Sequence, residues 1–229
     1  MNVEYIFEFQ STIIVAHGAP VFIPPDLIFH HVLRLELGEN DCPNLPRKVV
    51  LKKEGPERKD LFDREISIYD QLRPLQGNAI PQYLGLASIE GVRALLLSDI
   101  GGVAMSQMES PLFDGAKLEE MIATPLNLIR QHGVTLGYLS MCNIHWCDDA
   151  FRVVDLAHAQ IVSEESESDP VKEQVRDLVG CFQARHKELL RDKEMSRRPV
   201  RPARRAARST RHGARSAARS ARIREIAKY

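Results

Sequence analysis

The sequence predicts an α+β fold in which a sheet-forming part comes first and a mostly helical part second. Three observations predict it. Short bursts of alternating apolar and polar residues crowd the first hundred positions. One amphipathic stripe, residues 60–73, interrupts them. The later long segments, 114–131 and 170–194, both read as helices.

Residues 3–37 contain VEYIFEF, STIIVA, APVFI and LIFHHVLRLEL, which read as strands. The breaks expected between them are His17-Gly18-Ala19-Pro20 and Pro24-Pro25-Asp26. Residues 38–46 form a loop, and KVVLK at 48–52 is a short buried strand before a charged turn. In residues 60–73, Leu61, Phe62, Ile66, Ile68, Tyr69 and Leu72 make the apolar stripe of a helix, Asp60 is its expected N-cap and Pro74 its stop. LQGNAIPQYLGLASI follows, then VRALLLSDIGG, a buried strand ending in a glycine pair. The helix at 114–131 contains Pro125, expected to kink or divide it. Residues 163–169 are an acidic linker, and 170–194 an amphipathic helix with Pro170 near its first turn.

The formal charge is zero, yet the two ends differ. Residues 195–229 hold eleven Arg, one Lys and one Glu, a net of +11, and the rest of the chain carries −11. A basic tail of this kind seeks RNA, DNA or acidic protein, or folds back on its own domain. The four cysteines, Cys42, Cys142, Cys147 and Cys181, show no zinc spacing and read as free thiols of a reducing compartment. The N-terminus lacks the basic start of a signal peptide, and no apolar run approaches the ~20 residues of a membrane span. An intracellular protein, cytoplasmic or nuclear, is expected.

The most informative stretch is residues 133–159, GVTLGYLSMCNIHWCDDAFRVVDLAHA. Together with VVLKKE, FDREISIYDQL, LRPLQGNAIPQYLG and RALLLSDIGG it resembles the protein-kinase-like superfamily, and within it the short divergent kinase-like proteins of filamentous fungi. The resemblance covers roughly residues 45–165. It implies a bilobal protein-kinase-like fold: an N-terminal antiparallel sheet lobe with one helix (1–97), a hinge and truncated, mostly helical lobe (98–194), and the Arg/Ala-rich tail (195–229), expected to be disordered.

It also implies roles. Lys52, closing VVLK, would contact the phosphates of ATP, and Glu65 on the next helix would pair with it. Asn143 and Asp155 would hold Mg²⁺. Ser98 and Asp99 would form the hinge whose backbone meets the adenine edge. Trp146, flanked by His145 and Cys147, reads as core packing, and His30, His31 and His158 have no partner at metal spacing.

Three departures from the family pattern shape the functional expectation. Tyr138 stands where the catalytic Asp belongs, and a phenol with pKa near ~10 is a poor proton acceptor at neutral pH. No glycine-rich loop is recognisable, only Gly18 standing in the N-terminal strands. No A-P-E follows Asp155, so the peptide-docking platform is missing. Gly137 before the lost acid is similar to the H-G-D form of aminoglycoside and choline phosphotransferases. The expectation is a pseudokinase, a Mg-ATP-binding or scaffold module for protein partners. One alternative is an active atypical phosphotransferase, with Asp148 or Asp149 replacing the lost acid. Another is a nucleic-acid-associated protein working through Arg201, Arg204, Arg205, Arg208, Arg211, Arg215, Arg219 and Arg222, which recur at helical spacing. The bland reading of residues 196–229 is a low-complexity disordered tail or a mistranslated frame, and a separate alternative for the whole chain is a degenerate product that does not fold stably.

Overall fold

Alternation in the first hundred residues builds a barrel. The computed structural model describes residues 3–23, 27–38, 44–108, 114–162 and 170–197. Strands β1 (Val3–Phe9), β2 (Thr12–Ile23), β3 (Leu27–Leu37), β4 (Lys48–Lys53), β5 (Tyr83–Ile89) and β6 (Val92–Ser98) close in the order β1-β2-β3-β4-β6-β5, every pair antiparallel. Their inward positions, among them Phe7, Phe9, Ile14, Leu35, Leu51 and Leu96, form one apolar core. Closure rests on two residue pairs, Glu8 with Ser88 and Phe9 with Ala87. A register shift between Tyr83 and Gly85 interrupts the β5–β6 ladder. A Cβ on Gly85 would lie 2.9 Å from the Phe9 ring, so the glycine leaves the space that ring occupies.

This closed barrel corrects the expectation of a bilobal protein-kinase-like fold with an antiparallel sheet lobe. The following part, in which helix outweighs strand, also carries short strands. Beside helices α2 (Gly115–Gln131) and α3 (Pro170–Arg197) it holds β7 (Val103–Ala104), β8 (Val134–Leu136), β9 (Ile144–Cys147), β10 (Ala150–Val153) and β11 (Ala159–Ile161), paired as β10-β9-β7 and β11-β8. Strands of two to four residues are too short to display a period of two; the strand expected between Asn143 and Asp155 is the β9–β10 hairpin. The expected break at His17–Pro20 is absent. β2 runs through it, and Pro20 sits at a register shift, where a missing N–H is tolerated.

The run ALLL in β6 is apolar because both of its faces are covered. Ala94 and Leu96 face the barrel core, while Leu95 and Leu97 belong to a second core shared with helix α1 (Lys59–Gln71). That helix buries Phe62, Ile68 and Tyr69 as its stripe requires. Its N-cap is Arg58, without a side-chain cap, and Asp60 lies in its first turn. α2 is capped by Asp114, which accepts a 2.8 Å bond from the Lys117 N–H, and it is not divided at the buried Pro125. Residues Met1–Lys193 form one compact unit. The acidic linker 163–169, Cys42 and the arginine stripe beyond residue 197 lie outside the described residues. Among the described residues no helix is long and apolar enough to cross a membrane.

Candidate functional site

One polar residue breaks the apolar stripe of α1. Glu65 is 1% exposed, the most deeply buried charged group described. A carboxylate is held in such a place only by partners. Lys52 Nζ on β4 donates to both its oxygens, at 2.9 and 2.7 Å, and the Leu156 N–H donates to Oε1 at 3.2 Å. Lys52 also donates to Asp155 Oδ1 at 2.6 Å, so one ammonium joins β4, α1 and the segment after β10.

These groups face a cavity of about 470 Å³. All seven positions singled out from the sequence line it: Lys52, Glu65, Ser98, Asp99, Tyr138, Asn143 and Asp155. Asp148 and Asp149 do not; they occupy the turn between β9 and β10.

Burial and neighbouring charges shift the pKa of each group. Burial works against the Lys52 charge, but Glu65 and Asp155 outweigh it and raise its pKa. Burial raises Glu65, only partly offset by the Lys52 charge. For Asp155, burial is overcome by Lys52, and its carboxyl is held below the usual range. Asp155 adopts φ 64° and remains 47% exposed at the side chain, open to a ligand. Asn143 is oriented by two neighbours: its Oδ1 accepts from the Ser140 hydroxyl, and its Nδ2 donates to the Val154 carbonyl at 3.3 Å. An ionised carboxylate and an oriented amide oxygen on one wall fit Mg²⁺, which takes one or two carboxylates from a protein and completes its shell with water and phosphate.

The segment at Ser98–Gly101 is tied internally. The Ser98 N–H donates to Gln82 O at 2.9 Å, the Asp99 N–H to Lys48 O at 3.2 Å, and Asp99 Oδ1 accepts the Gly101 N–H at 2.9 Å. Asp99 also holds Arg34 at 3.0 Å, in a wall shared with a neighbouring cavity.

No family model matches the chain, and no curated protein matches it.

Arg34, Tyr69, His31, His145 and His158 also line the cavity and were not expected there. Only Tyr69 carried a signal, four residues after Glu65 on the same helix face. Trp146 packs edge-on against Phe151 at 5.1 Å, as expected of core packing. Tyr69 is fully buried, and its hydroxyl has no hydrogen-bond partner among the described residues. Burial first, then the Glu65 and Asp155 charges, push its pKa well above the ordinary tyrosine value, so the hydroxyl stays neutral. Burying a hydroxyl without a partner costs free energy. Tyr69→Phe is therefore expected to stabilise the ligand-free protein by about 1 kcal/mol in urea unfolding. A lower stability would mean that the hydroxyl is satisfied.

Proposed function

We propose that this cavity binds Mg-ATP and that the chain works as a nucleotide-binding module of the pseudokinase kind. The observation that carries the reading is the Lys52 ammonium, held 2.7 Å from Glu65 and 2.6 Å from Asp155 in the cavity that Asn143 also lines. Lys52 offers a compact cation to phosphate oxygens, and Glu65 keeps it on the cavity wall. Asp155 and Asn143 would hold the metal, which when bound neutralises phosphate charge. Apolar side chains of Val32, Val50 and Leu97 supply surfaces for a flat base. Tyr138 is 68% exposed and offers no carboxylate to an attacking hydroxyl, so transfer by an aspartate base is unavailable.

Thermal unfolding of the full chain with ATP, with and without Mg²⁺, tests this. Nucleotide at a hundred times its Kd should stabilise the protein by about 2.7 kcal/mol. The Mg-dependent part should vanish in Asp155→Asn. A cooperative transition that ATP leaves unmoved defeats the reading.

A further inference from the structure

Loss of the acid at position 138 leaves open whether any other group in the cavity can take a proton. The titratable lining groups can be taken in turn. Lys52 and Glu65 bind one another, and Asp155 accepts from Lys52. Asp99 holds Arg34. His145 is half-buried with Nδ1 3.3 Å from the Gly101 carbonyl, on the hinge side. His31 lies on β3, where burial and the Lys52 charge disfavour its protonation. Cys142 is half-buried, one residue before Asn143.

His158 differs from all of these. It is exposed at the cavity wall, three residues after Asp155. Its ring meets the Tyr138 ring edge-on, with centroids 6.5 Å apart. The backbone holds it there: the Gly137 N–H donates to the His158 carbonyl at 3.1 Å, and β11 begins at the next residue, Ala159 opposite Leu136. A Cβ at Gly137 would stand 2.6 Å from that carbonyl, so only glycine lets the two segments come this close. The residue beside the missing acid thus brings an imidazole next to the vacated position. Tyr138, on the loop after β8, is the ring that His158 meets.

We propose that His158 is the proton acceptor of this site and gives it slow phosphoryl transfer from ATP to a hydroxyl. The proposal rests on the Mg-ATP reading above. The acceptor oxygen bonds to the γ-phosphorus as the bond from that phosphorus to the β,γ-bridging oxygen breaks. ADP leaves with the electron pair, and the acceptor proton passes to the imidazole. With water as acceptor the products are ADP and inorganic phosphate.

The test uses the full chain, Mg-ATP, and water as the acceptor. Wild type should release ADP, and His158→Ala should lower kcat by about 10²–10⁴-fold. The thermal shift and KM for Mg-ATP should stay unchanged, and added imidazole should recover part of the rate, which a structural role would not allow. Independently of turnover, carbethoxylation of His158 by diethyl pyrocarbonate, read by peptide mass mapping, should slow when Mg-ATP is bound. Binding without ADP release, wild-type turnover in His158→Ala, no rescue by imidazole, or labelling indifferent to nucleotide each overturns the proposal and leaves the binding reading standing. Absence of any ATP-induced shift overturns both.

Discussion

Lys52→Met is expected to cost about 3–5 kcal/mol of stability, far more than a surface lysine. The reason is Glu65. Its side chain is almost wholly buried, and Lys52 is the cation that both its oxygens meet. Without that ammonium a buried carboxylate keeps, among the described residues, only the Leu156 N–H. Asp155 loses a partner too, but it is half-exposed and water replaces much of that interaction. Lys52→Met with Glu65→Gln should recover most of the loss, because the amide carries no charge to strand. Urea unfolding of the four proteins forms the cycle. Strictly additive losses would mean that Glu65 has another partner.

The same pair sets a pH dependence. Burial raises Glu65 above its unfolded value, and losing Lys52 raises it further. A carboxyl raised by folding contributes stability below its unfolded pKa, and that contribution is lost as pH rises through the folded pKa. Lys52→Met should therefore fall furthest behind wild type near neutral pH and close the gap on acidification towards the ordinary carboxylate range. Asp155, whose carboxyl Lys52 holds below its usual range, would close the gap in the same direction at lower pH, so a gap that stays constant down to acid would mean that neither carboxylate carries the loss.

Much of the site was legible because its chemistry is local. Lys52 ends an apolar strand, Glu65 sits in a helical stripe, and Asn143 and Asp155 bracket the β9–β10 hairpin. It was the resemblance to short kinase-like phrases that singled these groups out, each phrase being a local run of sequence. His158 was not legible in the same way. Its place depends on β8 and β11 pairing across more than twenty residues, each strand only three residues long. The barrel was hidden for a related reason. Alternation in β1 and β5 shows two strands with one apolar face each, but nothing in either segment says that they meet. A register shift beside Gly85 and one phenyl ring settle it.

Phe9→Ala therefore tests the fold where the sequence was least informative. Phe9 is buried, ends β1, pairs with Ala87 and lies over Gly85. Truncation of a buried phenylalanine costs about 3–5 kcal/mol, and here it also removes the side chain that closes the seam. The β1–β2 pairing spans seven residue pairs and the β1–β5 pairing two, so the damage should be uneven. Amide exchange should accelerate at Ala87 and Ser88 well before it does at Ile14 and Ala16, which lie on β2. Equal acceleration in both strands would mean that the barrel opens as one unit. Exchange and stability unchanged from wild type would mean that β1 does not close against β5. The seam is distant from the chemistry in one respect: no residue of β1 or β5 lines the cavity, whose barrel wall comes from β2, β3, β4 and the end of β6. Nucleotide-induced stabilisation should accordingly survive in Phe9→Ala at temperatures where the variant is folded. Its loss would show that Lys52 keeps its place only while the barrel is closed.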